Sequence, residues 1–175
     1  MAQTRNQTSG KAVVSKRSVK PVGSKEVKLT FTHAEIAKAR KKLVQAANSV
    51  DEVEVVHLLW YLTVDERISF INELYRVMKS GAKCSILTPY WASGRAYTDL
   101  RMQYPPVVEG WYFNLSADYR KQDPGGDKRY KCDFDATWGY TLHPAIVTRN
   151  HEYQQHAVTF WKEAAQDLAA TIIKK

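Results

Sequence analysis

His57 and Tyr61 are the residues whose type and position best suit proton transfer. His57 lies in an apolar run, VEVVHLL at residues 53–59, which is typical of a buried strand because valine is frequent and charge is confined to its start. A histidine titrates near neutral pH and can act as a general base, and Tyr61 follows one turn later. A buried, hydrogen-bonded structural role remains an open alternative for both side chains.

A second group of polar and aromatic residues follows the next predicted strand, KCSILT at residues 83–88, which Pro89 ends. In α/β folds, pockets form at such strand ends, and aromatic rings together with Arg and Asp suit a planar or sugar-like substrate. Asp133, Asp135 and His143 could add polar groups further along. The alternative is a loop packed by its own aromatic side chains. The group, which we call the substrate loop, contains Tyr90, Trp91, Arg95, Tyr97, Asp99 and Trp111.

The sequence does not predict a metal site. The histidines show no paired ligand spacing, and His151 and His156 are five residues apart, which does not place both on one helix face. Cys84 and Cys132 are isolated, which favours reduced, buried thiols over a disulfide or a nucleophile. No Walker loop, G-x-S-x-G or H-E-x-x-H motif is present.

Two capping boxes predict the helices that precede and follow the His57 strand. After a short strand predicted at residues 26–31, Thr32 with Glu35 opens the first helix. Thr63 with Glu66 opens the second, which is expected to end near Lys79 and Gly81. The core-facing positions are Ile36, Leu43, Val44 and Ala47 in the first helix, and Ile68, Ile71, Leu74, Val77 and Met78 in the second.

The remaining pattern completes an α/β domain. Residues 89–129 are expected to be irregular with short elements of their own, and residues 130–142 to form a strand or hairpin. Residues 151–173 predict a final helix. Strands and helices alternate over residues 26–88, which indicates α/β architecture. The core stripe of the final helix would be Val158, Trp161, Ala165, Leu168 and Ile172.

The positive charge of the chain is concentrated at its beginning. The net charge is +8 over 175 residues, yet residues 1–42 hold 11 Lys and Arg residues and only Glu26 and Glu35 as acids. Residues 1–25 contain no aromatic residue and predict a disordered basic tail before a domain at residues 26–175. Weak, salt-dependent nucleic-acid binding by residues 1–42 is one interpretation, and a solubilising tail is the other. With no apolar run long enough for a signal or a membrane span, we expect a cytoplasmic protein.

Residues 49–91 resemble the class I methyltransferases that use S-adenosylmethionine. In that family, a strand after an S-V-D segment ends in an H-V-L-E-H type sequence, and a helix with E-x-x-R-V-L-K-P-G-G follows. Here, His57-Leu58-Leu59-Trp60-Tyr61 occupies the first motif, and the segment ELYRVMKSGA at residues 73–82 occupies the second. The resemblance implies a partial or shortened Rossmann-like sheet with S-adenosylmethionine as the cofactor. It also implies cofactor contacts from Asp51, His57 and Leu58, with His57 and Tyr61 in catalysis.

The sequence departs from this family in its first half. The family's first strand leads into a Gly-rich loop that approaches the cofactor, but no G-x-G pattern precedes residue 49. Residues 26–48 are instead expected to supply a substitute strand and helix beside the 53–58 strand. A partner chain or a second copy could dock along the sheet edge near residues 53–58.

Three functions therefore stay open. The first is a methyltransferase acting on an acceptor that the sequence does not identify. The second is a catalytically inactive, methyltransferase-like module that docks on a partner chain, as the absent Gly-rich loop suggests. The third is a weakly nucleic-acid-associated protein that uses its basic beginning.

Overall fold

The computed structural model describes residues 26–175, which form a mixed sheet with helices packed against it. The strands are β1 (Lys28–Phe31), β2 (Val50–Val56), β3 (Met78–Pro89), β4 (Phe134–Leu142) and β5 (Ala165–Lys174). The helices are α1 (Ile36–Ala39), α2 (Val64–Val77), α3 (Glu109–Phe113), α4 (Ala117–Gln122), α5 (Pro144–Val147) and α6 (His151–Phe160). Short 3-10 helices lie at His33–Glu35, Leu59–Tyr61 and Gly94–Tyr97. The tail predicted at residues 1–25 lies outside the described residues.

The sheet order is β1-β2-β3-β5-β4. Strands β1, β2 and β3 run parallel, whereas β5 lies antiparallel between β3 and β4. Helix α2 connects the parallel neighbours β2 and β3, as expected for a crossover between parallel strands. The predicted α/β class is therefore confirmed.

Strand β1 occupies the edge of β2, as the substitute-strand hypothesis requires. Leu29 pairs with Val53 and Phe31 with Val55 in parallel register. Because β3 pairs with the other side of β2, the docking edge expected near residues 53–58 is not open, and that expectation is wrong. Within residues 26–175, the free edge on this side belongs to β1.

One face of the sheet carries the core. Its side chains come from positions in register on neighbouring strands, such as Val55, Ile86 and Ala170. All three are buried, and Ile71 and Leu74 of α2 pack into the same cluster. Helix α2 begins at the predicted capping box: the Thr63 hydroxyl accepts from the Glu66 N–H, and the Glu66 carboxylate accepts from the Thr63 N–H.

The first predicted helix is much shorter than expected. The Thr32–Glu35 capping box forms, but α1 ends at Ala39. The next segment is held by side chains of α2 instead: Arg76 donates to the carbonyls of Leu43 (2.8 Å) and Gln45 (3.0 Å), and Glu73 accepts from the Leu43 N–H. Hydrogen bonds from side chains of α2 thus replace the backbone hydrogen bonds that a longer α1 would form. Of the predicted core positions in this segment, Leu43 is buried and Val44 is 89 % exposed.

The final predicted helix is wrong beyond Phe160. Residues 165–174 form β5, which pairs with β4 from end to end and with β3 over residues 167–173. The helical spacing of Leu168 and Ile172 misled the prediction, because Ala170 between them is also buried and the segment alternates as a strand. Trp161, expected in the core, is 43 % exposed.

Two smaller predictions are corrected or narrowed. Helix α2 ends at Val77 rather than near Lys79, and the chain enters β3 directly. Gly81, expected just past the helix, lies within β3 with a φ of 77°, beside the irregularity where β2 and β3 shift register. The 130–142 region forms the single strand β4 rather than a hairpin. None of the helices between residues 26 and 175 has the length and apolarity needed to cross a membrane.

Candidate functional site

The carboxyl ends of β1, β2 and β3 meet at one edge of the sheet and form a cleft. In open α/β sheets, ligands bind outside the carboxyl ends of the strands. The cleft has a volume of about 260 Å³, and Pro89 at the end of β3 lines it. We call it the edge cleft; its other lining residues are His33, His57, Trp60, Tyr61, Arg95 and Thr98.

His57 has an unusual backbone and an unpartnered side-chain nitrogen. Its φ is 52°, a region that non-glycine residues rarely adopt and that often marks functional sites. Its N–H donates to the Leu87 carbonyl at 2.8 Å, which fixes the residue where β2 ends. Its Nδ1 is buried and has no hydrogen-bond partner among residues 26–175. Burial lowers the pKa of His57, against an opposing effect of Asp167.

The Tyr61 side chain belongs to a hydrogen-bonded cluster of polar groups at the wall of the edge cleft. Its hydroxyl donates to Asp99 Oδ2 at 3.0 Å, and the Arg101 guanidinium lies 5.2 Å from its ring centre. Arg101 also binds Asp99 through Nη2 at 2.6 Å. Burial and the Asp99 carboxylate raise the pKa of Tyr61. Of the two predicted catalytic residues, His57 therefore has the free proton acceptor.

The structure does not bring the three predicted cofactor contacts together. Asp51 lies at the amino end of β2, where it binds Lys79 Nζ at 2.8 and 2.9 Å. At a rise of about 3.3 Å per residue, it is roughly 20 Å from His57. The Leu58 side chain is fully buried in the core, so only its backbone lies near the cleft. His57 alone presents its side chain there.

The substrate loop divides between two clefts. Arg95 lines the edge cleft, whereas Trp91, Tyr97 and Trp111 border a neighbouring cleft of about 480 Å³. Trp91 and Tyr97 are 45 % and 50 % exposed. We call this the aromatic cleft. The 3-10 helix Gly94–Tyr97 separates the two clefts, because Arg95 faces one and Tyr97 the other.

The other members of the loop are tied down by hydrogen bonds or burial. Tyr90 is 4 % exposed, and burial raises its pKa to about 12. The Trp111 indole N–H donates to the Tyr130 hydroxyl at 2.7 Å. Tyr97 donates to the Trp91 carbonyl at 2.9 Å. The loop is thus partly packed by its own aromatic rings, while Trp91 and Tyr97 keep open surface.

Sequence reasoning missed Asp167 and Arg67. Asp167 on β5 is 5 % exposed and accepts from Arg95 Nη1 at 2.9 Å. Arg67 on α2 is 3 % exposed and donates to three backbone carbonyls, those of Leu59, Gln103 and Pro105. An acidic residue within the apolar run AQDLAATII was the available signal for Asp167. Arg67 gave no signal, because a lone arginine on an amphipathic helix is usually exposed.

The other polar residues that the sequence offered as candidates are held by structural contacts outside the two clefts. Asp133 accepts from the Ala117 N–H, His143 Nδ1 accepts from the Ala145 N–H, and Asp135 pairs with Lys175. Of the basic residues in the described part of the 1–42 segment, Lys28 pairs with Glu52 at 3.3 Å and Arg40 with Glu66 at 2.8 Å. Within residues 26–175, no group of three or more His, Cys, Asp or Glu side chains could hold a metal ion.

Comparison with known proteins gives structural likeness without sequence likeness. No family model matches the sequence, and no curated protein matches it. A crystal structure of an S-adenosylmethionine-dependent methyltransferase from Archaeoglobus fulgidus superimposes with a TM-score of 0.53 at 15 % identity. The match covers 79 % of this chain and 64 % of that protein, so the chain spans less than two thirds of its length.

A second similar structure is a complex between the Haloferax volcanii methyltransferase activator Trm112 and a candidate methyltransferase. Its TM-score is 0.50 at 9 % identity, and the match covers 87 % of this chain and 84 % of that one. The chain therefore has a class I methyltransferase-like fold.

Proposed function

We propose that the chain is a methyltransferase that binds S-adenosylmethionine at the edge cleft and transfers its methyl group to an acceptor. The observation that carries this proposal is the position of His57: it follows β2 directly, beside β1, at the carboxyl edge of a methyltransferase-like sheet. Its strained backbone and its unpartnered Nδ1 are features of residues that meet a ligand.

The edge cleft suits the adenosine portion of the cofactor better than the amino-acid portion. Trp60, Tyr61 and His33 provide rings on which a planar base can stack. Trp60 Nε1 and His57 Nδ1 are buried without partners among residues 26–175, and both could bind polar atoms of a ligand. No glycine follows β1, where Thr32 caps the 3-10 helix instead, so the backbone cannot approach the ligand closely there. The volume is also below the roughly 300–1,000 Å³ of most ligand pockets, so we expect weak binding.

When bound, the cofactor supplies a methyl group on a positively charged sulfur. Trp60, Tyr61 and His33 would hold its adenosine portion, and the methyl group would be supplied to a nucleophilic acceptor atom with the sulfur as the leaving group. His57 Nδ1 takes the proton that the acceptor loses, because burial lowers the pKa of His57 and keeps its imidazole neutral at pH 7. Tyr61, whose proton is held by Asp99, positions the ligand rather than acting as a base.

The aromatic cleft is the entrance that we assign to the acceptor. Trp91, Tyr97 and Trp111 present rings to it, and it adjoins the edge cleft across the 3-10 helix Gly94–Tyr97. Arg95 lies on the other side of that helix and could bind a polar group of the acceptor or of the cofactor.

Titration calorimetry with S-adenosylmethionine tests the cofactor proposal. We expect saturable binding in the micromolar to millimolar range, weakened at least tenfold by His57→Asn. Asparagine tolerates a positive φ, so this variant removes the imidazole while keeping the backbone. His156→Ala, an exposed site on α6, is the matched control and should bind like the natural chain. No heat at millimolar cofactor would exclude cofactor binding by this chain alone.

A non-catalytic docking module is the second candidate function, and the free edge of β1 favours it. Within residues 26–175, β1 pairs only with β2, and an open edge strand can accept a strand from another chain. A second copy or a partner chain would dock there rather than near residues 53–58. Light scattering after size-exclusion chromatography tests the second copy: a mass of 40 kDa rather than 20.0 kDa, about twice the chain mass, would support self-association.

A further inference from the structure

Arg67 is a buried arginine without an acidic partner in the described chain. It is 3 % exposed, and its guanidinium donates to the backbone carbonyls of Leu59, Gln103 and Pro105. Buried charges are normally paired with an opposite charge. Residues 1–25 contain no Asp or Glu, so every acidic side chain lies in the described part, and none of them forms an ion pair with Arg67. An anion that pairs with this charge must therefore come from outside the chain.

Arg67 also has hydrogen-bond donors to spare, and it faces a cleft. An arginine carries five N–H donors, so the three bonds to carbonyls leave two without a partner among residues 26–175. Arg67 is one of the residues that line the aromatic cleft. A ligand in that cleft can thus meet a charged group whose donors are not all in use.

Two further donors line the same cleft. The Tyr130 hydroxyl accepts from Trp111 Nε1 at 2.7 Å, and its own proton has no acceptor among residues 26–175. Burial raises the pKa of Tyr130 to about 12, against an opposing effect of Arg67, so this hydroxyl keeps its proton at neutral pH. Asn114 Oδ1 accepts from the Asp127 N–H at 3.1 Å, which leaves the Asn114 Nδ2 donors free in the described chain.

The negative charge in the lining of this cleft is already balanced. Asp127 is the acidic residue among the lining residues. Its Oδ1 accepts from Arg129 Nε at 3.0 Å and its Oδ2 from Arg129 Nη2 at 2.7 Å. The free polar groups of the cleft are thus donors around an unpaired positive charge. A carboxylate suits them, because its two oxygens accept hydrogen bonds from a guanidinium in one plane.

The aromatic rings of the cleft add a preference for a planar ligand. Trp91, Tyr97 and Tyr104 line it and are 45 %, 50 % and 81 % exposed, so their faces are open for stacking. The volume of about 480 Å³ lies within the roughly 300–1,000 Å³ of most ligand pockets. A small inorganic anion would use the donors and leave the rings uncovered, whereas an aromatic carboxylate uses both.

We propose that the aromatic cleft binds an aromatic carboxylate, with the carboxylate group at Arg67 and the ring against Trp91 and Tyr97, and that the methyl acceptor belongs to this class. The second half of this statement rests on the proposed function, whereas the first does not. Because Arg67 holds the carboxylate, the group that accepts the methyl is another substituent of the same molecule. Tyr130 and Asn114 supply the remaining hydrogen bonds to the carboxylate.

Binding of benzoate to the full chain, measured by calorimetry at pH 7 without cofactor, tests the carboxylate site. Benzamide is the neutral probe of similar shape, and acetate is a carboxylate without a ring. We expect benzoate to bind at least about tenfold more tightly than either probe, because each lacks one of the two features that the cleft recognises. Equal binding of benzoate and benzamide, or of benzoate and acetate, would overturn the proposal.

A pair of arginine variants locates the charge that selects benzoate. Arg67→Met should abolish the preference for benzoate over benzamide. Arg149→Met is the matched control, because Arg149 is exposed and contacts the Tyr153 ring of α6, away from the lining of the aromatic cleft. This control should keep the preference. An unchanged preference in Arg67→Met would overturn the proposal.

A pair of tyrosine variants decides the matter even where Arg67→Met does not fold. Tyr130→Phe removes one donor of the cleft and keeps the Arg67 charge, so it should weaken benzoate binding at least about threefold. Tyr119→Phe removes a hydroxyl that interacts with Asp123 outside both clefts, and it should bind benzoate like the natural chain. Equal benzoate affinities of the two variants would contradict the site.

The two proposals fail separately. A benzoate preference without any binding of S-adenosylmethionine would leave the carboxylate site in place and refute methyl transfer. Cofactor binding without a benzoate preference would refute the carboxylate site and leave the proposed function in place. Displacement of bound benzoate by S-adenosylmethionine would show that both bind at one site, and would overturn the assignment of this class to the acceptor.

Discussion

Replacing Arg67 should destabilise the protein more than any exposed arginine does, although Arg67 forms no ion pair in the described chain. Its guanidinium donates to the carbonyls of Leu59 (Nε, 2.8 Å), Pro105 (Nη1, 2.6 Å) and Gln103 (Nη2, 2.9 Å). Burial lowers its pKa to about 10, so it stays charged at neutral pH. It joins α2 to the 3-10 helix Leu59–Tyr61 and to the loop at residues 103–105, where Pro105 lines the aromatic cleft.

The magnitude follows from these three bonds. A hydrogen bond from a charged donor contributes roughly 1.5–3 kcal/mol when its partner is buried, and less where the carbonyl regains water. The bond to Leu59 is buried, whereas those to Gln103 and Pro105 are only partly so. Relief of the desolvated charge in Arg67→Met offsets part of the loss. We expect Arg67→Met to lower the free energy of unfolding by about 3 kcal/mol, and Arg67→Lys, which keeps one donor group, by about half as much.

Urea unfolding followed by tryptophan fluorescence measures this change. The matched control is Arg129→Met, because the Arg129 side chain is 56 % exposed and its ion pairs with Asp65 and Asp127 lie at the surface. Exposed ion pairs contribute little to stability, so this variant should unfold at nearly the same urea concentration as the natural chain. Unchanged m-values would show that the native and unfolded states remain comparable. If Arg67→Met lowered the free energy of unfolding by less than about 1 kcal/mol, the idea that the Arg67 hydrogen bonds stabilise the wall of the aromatic cleft would be refuted.

Three further predictions concern other buried groups. Burial lowers the pKa of His57, so below pH 7 the unfolded chain binds more protons than the folded chain. The free energy of unfolding should therefore fall as the pH drops from about 6.5 through the folded pKa. Urea unfolding curves at pH 7 and pH 5 measure this fall in stability, which should be smaller in His57→Asn. Burial raises the pKa of Cys132 to about 11 and that of Cys84 further, so neither thiol should react with Ellman's reagent until urea unfolds the chain; rapid native labelling would contradict this. Lys174 Nζ donates to the carbonyls of Tyr75 (2.6 Å) and Met78 (2.8 Å), so Lys174→Met should lower the free energy of unfolding by about 2–4 kcal/mol. The exposed neighbour variant Lys175→Met should leave the urea midpoint nearly unchanged.

The sequence predicted the elements whose local signals agree with their tertiary setting. Both capping boxes form as expected, and α2 buries its predicted stripe because its apolar spacing, cap and length all favour one helix. The pairing of β1 with β2 was predicted from the need to cover an edge. The position of His57 at a strand end followed from the resemblance and from the valine-rich run before it.

The errors arose where contacts distant in sequence decided the structure. The first helix ends early because Arg76 and Glu73 bind the backbone of the segment around Leu43. The sequence of that segment contains no local signal that predicts these contacts. In β5, buried residues satisfy helical and strand spacing at once, and only the slot between β3 and β4 decides between them. The same error hid Asp167, since a residue assigned to a helix after the sheet could not be placed beside His57.

Strand β1 separates two tasks that a cofactor-binding βα unit usually combines. One task is to continue the sheet, and Leu29 and Phe31 perform it by pairing with Val53 and Val55. The other is to bring backbone N–H groups close to a ligand, which needs glycine after the strand. Here Thr32 forms a capping box with Glu35 instead, so the polar groups of this turn are hydrogen-bonded within the helix that follows it. Ligand recognition at this edge must then come from side chains, and the unpartnered nitrogens of His57 and Trp60, which both line the edge cleft, are placed to supply it.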